Sequence, residues 1–544
     1  MHRASKQTTV SHILMFLRIV LLLILFMTPC LNYGFAANVL IPGSLMRGRG
    51  HTTLLSALSA ELTSRGHNVT ILVPADDELK VRQKFDNSNA TEILEYPTDP
   101  FEVSDVVKEM RAGNKPIPGV SNSLTILQDV HREQVSYCRQ LLNNTSVMKK
   151  LREMDFDLII EDMGNGCDVL LPEVLEIPFI ALTSNTELIF MNYNMYGIPI
   201  ESSYVISPYI KGGQDRHLAF GVRIKNILMR RVIKLVGINL SSLFIPLQEE
   251  FHISPEKSMS ELASKAQFWL SQDSYVLEDP HPTMPNYSPI GGMAAARPGQ
   301  LPSDFQEFAN GSGDAGFIVF STGSIVASGF DDTFVESIAL IFKTLPQRVV
   351  WKHSGSTPKN LGSNTKIAPW LPQAALLAHP KARLYIGHGG LNGIYEALYH
   401  GVPMVLIPQM FGDQKLNAFK VERYGYGVHL DKADYSTQML ESKINQVLSD
   451  SSYTERVRRC SKILQDDDPM DRAVYWVEHI LKFGGSHLRA GVFDLNFVQY
   501  YLLDVIAFLL FLLIVVISIL YIIAVSFCSL CKGRMNKSKV EKME

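Results

Sequence analysis

The sequence has few cysteines and no marked excess of charge of either sign. Only six of its 544 residues are cysteine, and three of these fall in or beside apolar terminal segments. The remaining Cys138, Cys167 and Cys460 are too few and too widely spaced to predict a disulfide framework or a metal site. The formal net charge is −3, so nothing indicates a nucleic-acid partner. No repeat of solenoid period is visible, which excludes a repeat array.

The apolar excess of the chain has its source in two terminal segments. Residues 505–531 contain no charged residue and are long enough to cross a hydrocarbon core of ~30 Å. Because flanking positive charge stays cytosolic, we predict a transmembrane helix at 503–531, a cytosolic tail at 532–544 and a luminal body. The basic residues that follow the span are Lys532, Arg534, Lys537, Lys539 and Lys542.

The N-terminus has the pattern of a secretory signal peptide. Arg3 and Lys6 precede an apolar core at Ile19–Met27, and small residues follow. We predict a signal peptide at 1–36, cleaved near Ala36, with an uncleaved signal anchor as the alternative. A luminal body also fits the N-x-S/T triplets, which begin at Asn68, Asn89, Asn143, Asn144, Asn239, Asn286 and Asn310.

Between these segments, short apolar strands alternate with helices in two runs. This pattern is typical of doubly wound α/β domains. We predict a first domain at 37–280, a Pro/Gly/Ala-rich linker at 281–314 and a second domain at 315–495, with an amphipathic helix at 471–483 that returns to the first domain. Strands are expected at 38–42, 69–73, 157–162, 178–182, 317–320, 348–352, 384–386 and 402–407, and helices at 52–64 and 165–176.

The most informative stretch spans residues 370–417. A buried strand leads into Gly387-His388-Gly389-Gly390, and a helix follows at 391–400. The N-terminus of a helix after a glycine turn attracts anions. Asn392 and Glu396 are four positions apart and therefore share one helix face. Trp370 offers a flat surface for a base and Gln373 a nearby amide, so the stretch predicts a site for a nucleotide diphosphate.

A second turn follows the strand at 317–320. Ser321-Thr322-Gly323-Ser324 lies at the carboxyl end of that strand, where it can contact a diphosphate or a sugar. A simple turn or helix cap is the alternative.

These motifs together resemble the signature of the UDP-glycosyltransferases, and most of all that of the animal UDP-glucuronosyltransferases. WLPQ, HGGxNGxxEAxxxGxP and GDQ agree in spacing and residue type over nearly fifty positions. The resemblance implies a GT-B fold, with the acceptor in the N-terminal domain and a UDP-sugar co-substrate in the C-terminal domain. It implies donor contacts by Ser321, Gly323, Ser324, Trp370, Gln373, His388, Gly390, Asn392, Gly393, Glu396, Asp413 and Gln414.

The resemblance also assigns the catalytic pair. The general base falls on His51, and the aspartate that orients it falls on Asp162. The loop before His51 carries Arg47 and Arg49 and is longer and more basic than in many relatives, which bears on acceptor geometry. No cofactor or metal is expected, because the D-x-D motifs at 155–157 and 466–468 fall at a strand's amino end and before a helix.

Several alternatives remain open at this stage. UDP-glucose is an alternative donor, since the sequence does not identify an arginine for a glucuronate carboxylate. A catalytically silent nucleotide-sugar binder and a transferase acting on glycolipid or glycan are further alternatives. Residues 188–199 fit either core packing or the wall of a pocket for a small lipophilic acceptor. The family implies a single-pass type I protein of the endoplasmic reticulum, although the tail has no adjacent dilysine, and leaves a homo-oligomer open.

Overall fold

The computed structural model describes residues 36–43, 49–75, 92–99, 101–102, 120–163, 167–183, 201–205, 207, 210, 218–323, 332–408, 413–430 and 436–540. The core of the predicted signal peptide, the loop residue Arg47, the segment 188–199 and the donor candidate Ser324 lie outside these ranges. The described chain divides into a large unit that ends at Leu488 and a small unit that begins at Arg489.

The large unit contains two parallel sheets. The first has seven strands in the order β3-β2-β1-β4-β5-β6-β7, and every neighbouring pair is parallel. The order reverses between β1 and β4, so the carboxyl ends of these two strands open on one crevice, where ligands of such sheets bind. The strands are β1 (Asn38–Pro42), β2 (Asn68–Pro74), β3 (Glu92–Tyr96), β4 (Leu158–Asp162), β5 (Phe179–Thr183), β6 (Phe268–Ser271) and β7 (Tyr287–Pro289).

The second sheet has six parallel strands in the order β10-β9-β8-β11-β12-β13. Its order reverses between β8 and β11, which places the carboxyl ends of those strands at the second crevice. The strands are β8 (Phe317–Ser321), β9 (Arg348–Lys352), β10 (Thr365–Ala368), β11 (Ala382–Gly387), β12 (Met404–Leu406) and β13 (Gly427–His429).

Helices cover both faces of each sheet. The helices up to the second sheet are α1 (Arg49–Ser64), α2 (Val120–Asn143), α3 (Thr145–Glu153), α4 (Leu170–Leu175), α5 (Phe220–Ser241), α6 (Ile245–Glu250), α7 (Met259–Ala263) and α8 (Ser303–Asn310). Those that follow are α9 (Asp332–Thr344), α10 (Gln373–Ala378), α11 (Leu391–Tyr399), α12 (Asp413–Arg423), α13 (Thr437–Ser449), α14 (Ser451–Asp466) and α15 (Pro469–Phe483).

The amphipathic pattern of α1 explains its place on the first sheet. Leu54, Leu58 and Leu62 recur at helical spacing and are fully buried against β1 and β2. The opposite face of this sheet is covered by α2, α3, α4 and α6. The second sheet lies between a layer containing α10, α11 and α14 and a layer containing α9 and α13. Each sheet therefore has its own two-sided core.

Helix α15 follows the second sheet in the chain and packs against the first. Met470, Val474 and Val477 are fully buried in the cluster that contains β1 and α1. The ring of Trp476 stacks on Phe268 of β6 at 4.3 Å between centroids. This packing confirms the predicted return crossing.

Two boundaries differ from the sequence-based expectation. The helix expected at 165–176 is α4, which spans only Leu170–Leu175. The segment predicted as a linker, 281–314, contributes β7 to the edge of the first sheet and contains α8. A strand of three residues in a proline-rich stretch gives no periodicity, so its place at the edge of the sheet could not be read from the sequence.

The cysteines were not expected to form a disulfide framework, and the single disulfide that the structure contains was not predicted. Cys138 of α2 and Cys167 are joined by a disulfide with Cα atoms 5.2 Å apart, while Cys460 is free and buried. The two cysteines are 29 positions apart in sequence. They meet because Cys138 and Ile159 of β4 lie in the same core cluster and Cys167 follows that strand, which is a tertiary contact without a local signal.

The small unit contains α16 (Phe497–Tyr500) and α17 (Leu503–Val540). Residues Leu503–Lys532 of α17 form the one candidate membrane span found in the described part of the chain, by length and composition.

Candidate active site

The switch point of the first sheet brings His51 and Asp162 together. His51 lies in the first turn of α1, just after the loop from β1, and Asp162 is the last residue of β4. The Nδ1 atom of His51 is 2.8 Å from Oδ2 and 3.0 Å from Oδ1 of Asp162. An ionised carboxylate can only accept, so Nδ1 carries the proton and Nε2 carries the lone pair.

The surroundings of His51 change its affinity for a proton. The Asp162 side chain is fully buried, and that of His51 is 18% exposed. Burial by itself lowers the pKa of His51, but the charge and hydrogen bond of Asp162, together with the charge of Asp413, outweigh it and raise the pKa above the usual 6.5. The neighbouring carboxylate therefore makes the imidazole a stronger base.

Asp413 approaches this pair from the other half of the molecule. It is the first residue of α12, and Gln414 beside it is buried. Burial raises the pKa of Asp413, and the charge of His51 partly opposes that rise. The cleft thus places an acidic group of the second domain close to the imidazole of the first.

At the second switch point, the turn after β8 packs on the turn after β11. Gly323 has φ 84°, and a Cβ added there would lie 2.5–2.9 Å from the ring atoms of His388. Only glycine fits that close approach. Gly390 is the N-cap of α11 in an extended conformation, and a Cβ added there would overlap Nε2 of His388, so the start of this helix adjoins the same imidazole. Ser321, the last residue of β8, is buried beside them.

His388 is held in its neutral form. Burial lowers its pKa to about 4, the Lys352 ammonium acts in the same direction, and a backbone hydrogen bond at Ser321 partly opposes them. Its Nδ1 is buried and has no hydrogen-bond partner within the described part of the chain. A neutral imidazole beside a helix N-terminus adds no charge of its own to the site.

A lysine that the sequence analysis did not single out contacts the turn after β8. Lys352 ends β9, its Nζ donates to the carbonyl of Gly323, and it lies 4.8 Å from the ring centroid of Trp370. A permanent cation here favours a diphosphate. The sequence could have indicated Lys352, because it lies at the carboxyl end of the strand expected at 348–352.

The remaining donor candidates form a cluster around α11. Gln373 Nε2 donates to Glu396 Oε2 at 2.5 Å and lies 3.4 Å from the hydroxyl of Tyr385. Gly393 faces the same hydroxyl so closely that a Cβ would overlap it. Trp370 precedes this cluster and is 45% exposed, with the Lys352 ammonium over its ring. The structure therefore brings the tryptophan, the amide and the carboxylate to one place.

Asn392 has contacts that the sequence did not predict. Its Nδ2 donates to the carbonyl of Gly50 at 2.9 Å, and its Oδ1 accepts from Gln272, which follows β6. Gly50 directly precedes His51. The amide therefore links helix α11 of the second domain to helix α1 of the first across the cleft.

Ion pairs hold the two halves together further from the cleft. Lys420 of α12 pairs with Glu278, whose side chain is 7% exposed, and Arg423 binds Asp279 through both nitrogens at 2.8 and 2.9 Å. Because α12 begins at Asp413, these pairs fix the helix that carries the acidic group facing His51.

The D-x-D motifs have structural contacts. Asp157 Oδ2 accepts from the amide of Asn38 at 2.8 Å, at the amino edge of the first sheet. Asp468 caps α15 by accepting from the amides of Met470 and Asp471. Within the described ranges, no group of three or more His, Cys, Asp or Glu side chains is arranged to hold a metal ion.

Two parallel-sheet α/β domains facing a cleft define the GT-B class of glycosyltransferases. The fold is similar to that of the glycotransferase of kitacinnamycin, with TM-score 0.56 and 19% identity over 82% of this chain and 98% of that one. It is also similar to CalG4, the calicheamicin glycosyltransferase, with TM-score 0.54 and 19% identity over 82% and 99%.

The sequence comparisons define the family. A family model described as UDP-glucoronosyl and UDP-glucosyl transferase matches residues 45–540, and the chain belongs to that family. UDP-glucuronosyltransferase 2A3 of Mus musculus is 33% identical over 494 residues, covering 88% of this chain and 90% of the relative. UDP-glucuronosyltransferase 2B7 of Homo sapiens is 32% identical over 508 residues, covering 90% and 93%. The protein is thus a UDP-glycosyltransferase similar to the glucuronosyltransferases.

Proposed function

We propose that the protein transfers glucuronic acid, with inversion, from UDP-glucuronic acid to a hydroxyl of a small lipophilic acceptor. The observation that carries this proposal is the hydrogen-bonded pair of His51 and Asp162, which lies close to Asp413 of the opposite domain. Attack by the acceptor and removal of its proton require a base on one side of the cleft and donor-binding groups on the other. His51 would be the base of the first domain, and Asp413 belongs to the second.

His51 acts as the general base. The acceptor oxygen attacks the anomeric carbon, and its proton passes to Nε2 of His51, while the bond between that carbon and UDP breaks and UDP leaves with the electron pair. Asp162 holds Nδ1 protonated and stabilises the imidazolium that forms. A single displacement from the face opposite the leaving group inverts the anomeric centre.

The second domain binds the donor. The amides of α11, the neutral imidazole of His388 and the ammonium of Lys352 surround the position of the diphosphate and stabilise the charge that develops on it. Trp370 stacks on the uracil, and Glu396 accepts from the ribose hydroxyls. Asp413 and Gln414 contact the sugar hydroxyls. In this proposal these groups hold the leaving group without a metal.

The proposed setting is the lumen of the endoplasmic reticulum, with one C-terminal helix in the membrane. The Cys138–Cys167 disulfide supports an oxidising compartment for the body. The apolar span at Leu503–Lys532 supports the anchor, and lipophilic acceptors concentrate in such a membrane.

A donor screen with the full-length protein tests the proposal. UDP-glucuronic acid and UDP-glucose are each supplied with a phenolic acceptor, UDP release is followed, and the anomeric configuration of the product is read by NMR. We expect turnover with UDP-glucuronic acid and a β-linked product. Turnover with UDP-glucose alone would replace the donor assignment and keep the mechanism. Tight UDP binding without turnover on any donor would instead favour the silent nucleotide-sugar binder.

A further inference from the structure

Helix α5, at Phe220–Ser241, turns its polar side inward. Asn226 is fully buried, where its Oδ1 accepts from the amide of Ser207 at 2.8 Å. Its Nδ2 donates to the carbonyls of Ser202 and Val205 at 2.8 and 2.9 Å. Arg230, one turn further on, is buried and donates to the same Val205 carbonyl. The helix is therefore held on the body by these polar contacts together with the buried side chain of Ile233.

The outer face of the same helix is apolar. Six large side chains on it are between 44% and 72% exposed. Their spacing of four, three, one, four and three positions places them on one continuous stripe. Soluble surfaces rarely expose an apolar stripe of this length, which marks a surface that binds something. The residues are Phe220, Ile224, Ile227, Leu228, Val232 and Leu235.

Positive charge accompanies this stripe. Residues 220–241 contain no acidic residue. At about 100° per residue, Arg223 and Lys234 border the stripe on one side and Lys225 on the other, with Arg231 near its middle. None of these four side chains forms an ion pair with a carboxylate in the described parts of the chain. Burial and the neighbouring Arg231 guanidinium lower the pKa of Lys234, as expected where positive charge is crowded.

We infer that α5 lies flat in the headgroup region of an anionic lipid bilayer, with its apolar stripe in the acyl boundary. Long basic side chains that border an apolar stripe keep their charges at the headgroups while their stems stay in the apolar layer. With the anchor proposed above at Leu503–Lys532, the chain has a bilayer available to it. A second copy of the chain fits less well, because a symmetric contact through α5 would bring the same positive charges together.

The inference adds a second membrane contact to the proposed anchor and does not depend on the donor or on the base. Its functional consequence concerns the acceptor. A body held on the bilayer by α5 as well as by its anchor would take lipophilic acceptors from the membrane surface.

The test uses the full-length chain with Cys528 and Cys531 replaced by serine and one new cysteine carrying a bimane label. The label is placed on the stripe by Leu228→Cys, or on the exposed face of α13 by Glu441→Cys as the control. Each protein is reconstituted in vesicles of phosphatidylcholine and phosphatidylserine that contain lipids with a nitroxide on the acyl chain. We expect strong quenching at position 228 and little at position 441. Equal quenching at the two positions would overturn the inference.

Charge variants test the role of the anionic lipid. Lys225→Glu, Arg231→Glu and Lys234→Glu each remove one cation and add one anion, so each should weaken partitioning of the helix by at least about fivefold, seen as reduced quenching at position 228. Lys462→Glu, an exposed position on α14, serves as the matched control and should leave the quenching unchanged. Unchanged quenching in vesicles of phosphatidylcholine alone would contradict the anionic requirement. Energy transfer between labelled copies without lipid quenching would assign the stripe to self-association and refute the inference.

Discussion

Replacing Asp162 with asparagine removes the charge that raises the pKa of His51 and keeps the shape of the side chain. In the native protein, burial lowers that pKa, while Asp162 and then Asp413 raise it, with a net rise above 6.5. Without the carboxylate, burial is opposed by Asp413 alone, so the pKa should fall. An asparagine amide can also donate to Nδ1, which would move the ring proton to Nε2 and block the base.

The direction of the pH effect follows from the role of the base. A general base works only when unprotonated, so kcat/KM should rise with pH through the pKa of His51. We expect a midpoint above 6.5 in the native enzyme and a lower midpoint in the Asp162→Asn variant. At high pH the variant should remain slower by ~10²–10⁴, the usual contribution of general base catalysis.

The assay is UDP release at varied acceptor concentration, which yields kcat/KM for the acceptor across the pH range for both proteins. Asp157→Asn is the matched control, because Asp157 contacts the Asn38 amide at the opposite edge of the same sheet. It should leave the midpoint in place. A slower Asp162→Asn enzyme with an unshifted midpoint would refute the reasoning, since it would mean that the carboxylate only supports the fold.

Three further outcomes follow from contacts elsewhere in the structure. Gly323→Ala should raise the KM for the UDP-sugar about tenfold or more, because the added Cβ would lie 2.5 Å from the His388 ring and displace that ring. Gly66→Ala is the control, since Gly66 has a similar φ and no atom within 4 Å of the added Cβ, so it should change stability alone. Calorimetric measurement of UDP binding distinguishes the two variants. Lys420→Glu should destabilise the protein by about 3–5 kcal/mol by leaving Glu278 unpaired. The exchanged pair Glu278→Lys/Lys420→Glu should recover much of this loss in thermal unfolding, and no recovery would refute the pairing. Cys138→Ala should lower the free energy of unfolding by about 3 kcal/mol, because the disulfide is lost. In a denaturant titration the variant should unfold at the same denaturant concentration as the reduced native protein. An unfolding midpoint equal to that of the oxidised native protein would contradict a structural disulfide.

The central βαβ unit could be predicted from the sequence because its signals are local. A buried strand, a glycine turn and a helix stop succeed one another between residues 384 and 403, and the structure has β11, the turn and α11 there. The proximity of Gln373 and Glu396 also follows, since each lies at the start or on one face of a short helix beside the same strand.

The pairing of His51 with Asp162 could not be derived from local signals. The two residues are 111 positions apart, and they meet only because β1 and β4 are neighbours where the strand order reverses. Strand order depends on the whole domain, so only the family resemblance pointed to this pair.

Contacts between domains and between layers could not be predicted either, because they depend on the tertiary arrangement and have no local signal. The bond from Asn392 to Gly50 joins residues 342 positions apart, and nothing near either residue signals it. The inward polar face of α5 is a further case, because a helical apolar stripe predicts burial and here it is exposed.

The most direct test of the proposed mechanism is a paired measurement on His51→Ala. Calorimetry measures UDP affinity, and single-turnover transfer from the preferred UDP-sugar measures chemistry on the same preparation. The account predicts UDP affinity close to that of the native protein, because the diphosphate contacts lie in the second domain, and a transfer rate lower by ~10²–10⁴. Transfer at the native rate, with UDP bound normally, would contradict the claim that this imidazole removes the acceptor proton.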